Sequence, residues 1–199
     1  MTTTDFIQII GTAAFAISGY LVGYNKRLDV LGVVITALLT AVGGGMIRDG
    51  LVGRIPQVFL QTDALIVVFA TLAIAWLVRV QRYRSTYLAA AFIIADAVGL
   101  AAFSITGAQI GMALQLNLFG VISLAFVTAD ILVNDVPMIL RTDLYGSVAI
   151  LIGGLIYLFG RLGWINIFTL NLLFAGGLLF RLTAYRFHWQ LPGFQRRRK

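Results

Sequence analysis

Residues 11–19 read Gly-Thr-Ala-Ala-Phe-Ala-Ile-Ser-Gly, and residues 99–107 return as Gly-Leu-Ala-Ala-Phe-Ser-Ile-Thr-Gly. The correspondence continues without a gap: Gly23 meets Gly111, Leu28 meets Leu116, Gly32-Val33 meets Gly120-Val121, and Thr40-Ala41 meets Thr128-Ala129. Thirteen of the thirty-one aligned positions are identical. Further on, Asp49–Pro56 pairs with Asp130–Pro137, and Thr62-Asp63 with Thr142-Asp143. Such self-similarity constrains a fold strongly, because both copies must form the same supersecondary unit.

Composition says in which solvent the copies fold. The chain is 60% hydrophobic and 12% charged, with mean hydropathy +0.94. Soluble domains average about 45–50% apolar and about 25% charged. This is the profile of a polytopic membrane protein. At roughly 20 residues per span, 199 residues allow six or seven helices in one transmembrane domain.

The punctuation predicts seven. Helix one is expected over Asp5–Tyr24, closed by Asn25-Lys26-Arg27, and helix two over Asp29–Val52, broken by Gly53-Arg54-Ile55-Pro56. Helix three follows over Asp63–Val80, helix four over Tyr87–Gln109, and helix five from Leu118 to the closing Asn134-Asp135-Val136-Pro137. Helices six and seven cover Leu144–Phe159 and Trp164–Tyr185. The first repeat then spans about 5–80 and the second about 87–159. A basic tail, 186–199, ends in Arg196-Arg197-Arg198-Lys199. With the N-terminus outside, Lys26, Arg27, Arg79, Arg82, Arg84, Arg141 and the tail are cytoplasmic, and only Arg54 and Arg161 lie outside. That asymmetry obeys the positive-inside rule and puts the C-terminus in the cytoplasm of a cell-membrane protein. The net charge of +7 is therefore a topology signal and not a nucleic-acid one. Trp164 and Trp189 suit interfacial anchors. The first span reads as retained and not as a cleaved signal.

Three helices per copy is an odd number, so the second copy inserts upside down. Inverted repeats place the solute path between the halves, near the midplane, lined by broken helices. The stretch Gly43–Pro56 fits that role. Gly43, Gly44 and Gly45 each cost about 1 kcal/mol relative to alanine in a helix, and a kink or unwound turn beside a water-filled path is the expected return. Close helix packing is the alternative use. Arg48 and Asp49 follow at once, and each intramembrane charge costs about 2.5–3.5 kcal/mol on insertion scales. Adjacent helical side chains point about 100° apart, so each is expected to find a partner elsewhere, or Arg48 to snorkel toward an interface; Arg48 is a candidate gate or counter-charge, and Asp49 a candidate cap on a following turn. Asp96 in helix four is the other intramembrane charge, either a cation-attracting or proton-linked group, or else a partner for Arg48 or a cap near the cytoplasmic end. Asp130 is the repeat mate of Asp49. Ser18 and Thr106 occupy matched positions and either line a polar path or bond to their own helix carbonyls.

The second copy lacks a counterpart of Val42–Arg48, with the join between Ala129 and Asp130. Helix five is thereby about two turns, or roughly 10 Å, short. Either the segment is deleted or it is omitted from the sequence as written. The need for both halves to cross one bilayer favours omission.

Several functions are excluded by inventory. There are no cysteines and a single histidine, His188. No metal cluster, cofactor site, catalytic residue or phosphate-cradling loop is expected, and the chain does not read as an enzyme.

The glycine triplet followed by Arg-Asp and a closing proline, with the duplicated Gly-x-Ala-Ala-Phe-x-Ile-[Ser/Thr]-Gly, resembles the prokaryotic branch of the trimeric intracellular cation channel family. The resemblance covers nearly the whole chain. It implies a homotrimer with one pore per protomer, inverted halves of three helices each, and a seventh helix alongside. It also implies conduction of monovalent cations, chiefly potassium, past kinks in helices two and five. The first kink maps onto Gly43, Gly44 and Gly45; the second has no residues to map onto. The Lys-Glu-Val triplet of animal members is absent, so inositol-lipid binding is not supported, and membrane lipid and the permeating cation are the expected partners. Related bacterial proteins are linked to glycine transport, which makes a small-solute carrier the alternative function, with a non-conducting assembly protein third.

Overall fold

The computed structural model describes residues 3–80, 85–129, 145–187 and 189. Among these residues the secondary structure is eight helices and no strand: α1 (Thr3–Asn25), α2 (Val30–Leu51), α3 (Gln57–Leu60), α4 (Asp63–Leu77), α5 (Ser85–Ala113), α6 (Leu118–Ala129), α7 (Tyr145–Arg161) and α8 (Ile167–Arg186). Four are long and apolar enough to cross a bilayer: Asp5–Asn25, Val30–Leu51, Thr86–Ala113 and Ile167–Arg186. Helices α4, α6 and α7 are apolar but shorter.

Each expected helix has a counterpart, with ends moved by local chemistry. Helix seven starts at Ile167 and not at Trp164, because Asn166 caps it. Its Oδ1 accepts from Thr169 N–H at 2.9 Å while Thr169 Oγ1 accepts from Asn166 N–H at 2.9 Å, a reciprocal capping box. Helix four is longer than expected, Ser85–Ala113, and helix three stops at Leu77. Inside the break at Pro56 a further short turn, α3, forms. The expected close of helix five, the junction of Ala129 with Asp130, and the basic tail from Gln190 onward lie outside the described residues.

Of the kink or unwound turn expected at the glycines, the unwound turn is overturned. The glycine triplet does not unwind helix two: α2 is helical without interruption from Val30 to Leu51. The helix carries through Gly43–Gly45, and Gly44 serves the close approach of α6.

Helices α1 and α5 pack against each other at the centre, and each carries a hairpin partner, α2 and α6. The two hairpins turn in the same way at equivalent residues. Arg27 and Gln115 sit at φ 56° and 55°, the left-handed position that ends a helix. Asp29 and Asn117 then cap the next helix, accepting from Gly32 N–H at 2.7 Å and Gly120 N–H at 2.9 Å. At the crossing, a Cβ on Gly23 would lie 3.0 Å from Val33 Cα, and one on Gly111 would lie 2.9 Å from Val121 Cα. Only glycine lets these backbones meet.

The central contact is reciprocal. Phe15 and Phe103 stack with centroids 5.2 Å apart at 25°, and both are buried. Phe15 lies over Gly99, while Phe103 lies beside Gly11. A methyl group at Gly99 would land inside the Phe15 ring. Gly99→Ala is therefore expected to destabilise the protein by about 1–3 kcal/mol through overpacking. Thermal unfolding of the single variant and of Gly99→Ala with Phe15→Ala checks it: the double variant should recover part of the loss, and strict additivity would rule the clash out.

Candidate functional site

A cavity of about 470 Å³ opens between α1, α2, α3 and α4. It gathers the first three turns of α1, the last turns of α2 and the start of α4. It reaches down to Ala41 on α2 and Phe103 on α5. From Asp49 to Ala41 is eight residues, about 12 Å of helix rise. Its floor is thus one member of the central aromatic pair.

Its polar lining has a clear periodic origin. On α1, Asp5, Gln8 and Thr12 recur at helical spacing and share one face with Ile9. On the opposite wall Gln57 and Gln61 stand one turn apart on α3, joined by Gln57 Nε2 donating to Gln61 Oε1 at 3.0 Å. Asp63 opens α4 beside them. The cavity therefore brings together three carboxylates, Asp5, Asp49 and Asp63, against a single guanidinium, Arg48.

The charged pair at the end of α2 corrects a second expectation. Arg48 and Asp49 pair with each other. Arg48 Nε donates to Asp49 Oδ1 at 2.8 Å, and its Nη2 lies 2.7 Å from the same oxygen. Both residues are buried, 4% and 5% exposed. The 100° between neighbours is bridged because the arginine arm is long enough to fold sideways over the helix end. Two reasons favour the fold. A carboxylate in the last turn meets the negative end of the helix dipole and needs a compensating cation. A cation there is itself favourable. Asp49 Oδ2 remains available and accepts the backbone N–H of Gln57 at 3.0 Å. One carboxylate thus ties the cavity's guanidinium to the first N–H of α3, and the expected cap on a following turn is this bond.

The glycines divide their roles. Gly45 lines the cavity, and a Cβ there would meet only Arg48 Nη2, at 3.7 Å. Gly44 faces the other way, where a Cβ would collide with the carbonyl of Thr128 on α6 and lie 3.2 Å from the Val127 carbonyl. Gly43 is buried and does not line the cavity.

Of the remaining expected site residues, Ser18, Asp96 and Thr106 are not in the cavity lining. Thr106 donates to the Ala102 carbonyl of its own helix at 3.0 Å, the structural one of the two uses foreseen for it. Ser18 is buried on α1. Asp96 is buried on α5, two helical turns before Phe103 at the cavity floor. Asp130 lies outside the described residues. The sequence reading missed Asp5, Gln8, Thr12, Gln57, Gln61 and Asp63. The signal for them was present as a polar stripe at i, i+3 and i+7 on helix one and a glutamine pair at i, i+4.

Apolar helices long enough to cross a bilayer, around a cavity with charged lining, define a multi-pass α-helical membrane protein. Comparison with known proteins narrows the class. A family model described as "Glycine transporter" matches residues 5–82 and 93–161. The UPF0126 membrane protein YvgT of Bacillus subtilis is 34% identical over 195 residues, covering 94% of this chain and 95% of that protein. The UPF0126 inner membrane protein YadS of Escherichia coli is 32% identical over 200 residues, covering 95% of each. Among solved structures, one reported as the structural basis for conductance through TRIC cation channels matches with TM-score 0.82 and 29% identity over 98% of both chains. The TRIC trimeric intracellular cation channel orthologue from Rhodobacter sphaeroides matches with TM-score 0.84 and 26% identity, covering 94% of this chain and 99% of that one. The chain belongs to the prokaryotic branch of the trimeric intracellular cation (TRIC) channel family.

Proposed function

We propose that this protein is a monovalent cation channel, conducting potassium, that works as a homotrimer with one path in each protomer. Seven spans carry it, as inverted halves of three helices followed by α8, with the N-terminus outside and the C-terminus cytoplasmic. The reciprocal stacking of Phe15 on Phe103 supports the two-fold relation between the halves, since a two-fold contact pairs a residue with its own equivalent. The observation that carries the function is the cavity. It runs from the ends of α1, α2 and α4 to the middle of the molecule, and its lining carries more carboxylates than cations. A cleft of one sign in a low-dielectric surround concentrates counter-ions. The proposed path residues are Gly45, Arg48 and Asp49, with Asp5 and Asp63 at its wide end.

A second reading has its own support. Arg48 and the carboxylates share one cavity, so both ends of a zwitterion such as glycine find a counter-charge there, and the matching family model is described as a glycine transporter. Recording from purified protein in planar bilayers separates the two. The channel reading expects unitary potassium currents with chloride largely excluded. Saturable glycine uptake into proteoliposomes with no unitary current would replace it by the carrier.

A further inference from the structure

The segment between α2 and α4 forms one wall of the cavity. Its entry is Gly53, at φ +69°, after which the chain leaves the helix. Gly53 N–H bonds to the Gly50 carbonyl at 3.1 Å and Arg54 N–H to the Asp49 carbonyl at 2.8 Å, so the start of the segment is rigidly set. Beyond Arg54 the hold is slight. No residue from Leu51 to Asp63 is buried, and α3 contributes none to the core. Segments with few buried apolar contacts are the ones that open locally at low free energy. Yet Gln57, Val58 and Gln61 of this segment form one side of the cavity, while Phe59 and Leu60 are each 67% exposed on the outer side. The hydrogen bond that ties α3 back to α2 is the one from Gln57 N–H to Asp49 Oδ2, and the other oxygen of that carboxylate holds Arg48.

We propose that residues 54–62 are a gate at the side of the cavity, and that Asp49 is its latch, shared between the Arg48 guanidinium inside and the Gln57 N–H of the gate. The consequence is a coupling between the path and its wall. A cation resting beside Asp49 competes with both of its partners and loosens the gate. An anionic group on Arg48 releases Oδ1 and lets the carboxylate turn fully to Gln57. Occupancy of the cavity by cations therefore favours the open wall. This regulation rests on the reading of the cavity as the solute path.

The chain has no cysteine, so a single introduced thiol reports cleanly. Gly45→Cys places it in the cavity, where a Cβ is accommodated. Its modification rate by a membrane-impermeant methanethiosulfonate reagent is measured in nanodiscs at fixed potassium concentration, in three further backgrounds. Gln57→Pro deletes the latch N–H while keeping a backbone that Pro56, at φ −52° and ψ 130°, already accepts before a proline. Gln57→Ala deletes the side chain and keeps the N–H. Asp49→Asn preserves shape and removes the charge. A charge-assisted hydrogen bond of this kind supports a change of about tenfold or more. The proline variant is expected to label about tenfold faster than the alanine variant, and Asp49→Asn several-fold faster than the Gly45→Cys parent. Equal rates for proline and alanine would overturn the latch; if the proline variant does not fold, an unaltered rate in Asp49→Asn overturns it alone. Faster labelling in a protein that carries no cation current would keep the gate and dismiss the channel, so the two readings fail separately.

Discussion

Replacing Arg48 with alanine should raise unitary cation conductance several-fold and lower the melting temperature of the protein. Both effects come from the same carboxylate. In the native cavity Asp49 Oδ1 is occupied by Arg48 at 2.7–2.8 Å, so that side of the site presents a neutralised pair. Without the guanidinium the cavity lining changes from three carboxylates and a cation to three carboxylates alone. A unit charge about 6 Å from a passing cation is worth roughly 3 kcal/mol at an effective dielectric of 20, and water in the cavity reduces that to a several-fold change in rate. The stability loss follows from leaving a buried carboxylate short of its partner. Truncating one side of a fully buried pair costs about 3–5 kcal/mol; here the cavity admits water, and about 1–3 kcal/mol is expected. Planar-bilayer recording and thermal unfolding of the same preparation measure the two together. Arg48→Lys keeps the charge and should stay near the parent conductance. Unchanged conductance in a correctly assembled Arg48→Ala protein would remove this arginine from the path.

Two neighbouring glycines should respond in opposite ways to the same added methyl group. Gly44→Ala drives a Cβ into the Thr128 carbonyl, a backbone atom of α6 that cannot turn aside. Overpacking of this kind costs about 1–3 kcal/mol, which exceeds the gain of about 1 kcal/mol from the better helix former. Gly45→Ala meets only Arg48 at 3.7 Å, ordinary contact distance, and should be neutral or stabilising by up to about 1 kcal/mol. Unfolding midpoints of the two variants decide the matter. A Gly44→Ala protein as stable as Gly45→Ala would show that α2 and α6 do not need their close approach.

That contrast also shows how far sequence reasoning reaches. The triplet Gly43–Gly45 stood out as costly for a helix, which is a local fact about glycine. The cost was assigned to a kink or an unwound turn, with close packing as the alternative; the helix is not unwound, and Gly44 packs against α6. What the glycines do depends on what lies across from each of them, and that is set by an element eighty residues away. The same holds for Arg48 and Asp49. Helical geometry says that neighbours diverge, which is right for Cβ directions. It does not say that a flexible arm at a helix end folds back onto a carboxylate that the helix dipole disfavours. In the sequence Asp5 and Asp63 stand only as the first residues of two expected helices. Only packing brings both to one cavity with Asp49.

By itself the sequence determined the solvent, the all-helical character and the internal duplication of the sequence. Apolar runs, basic loops and capping residues act over a few residues and do not wait for a partner. The offset that aligns Gly11 with Gly99 also aligns the hairpin turns, down to the left-handed Arg27 and Gln115, because each turn is fixed by its own hydrogen bonds. The tertiary structure alone decided where the cavity lies, which glycine faces it, and that Asp49 holds a guanidinium with one oxygen and the wall of the cavity with the other. These are contacts between elements distant in sequence. They follow from how the helices cross, and no spacing along the chain records a crossing.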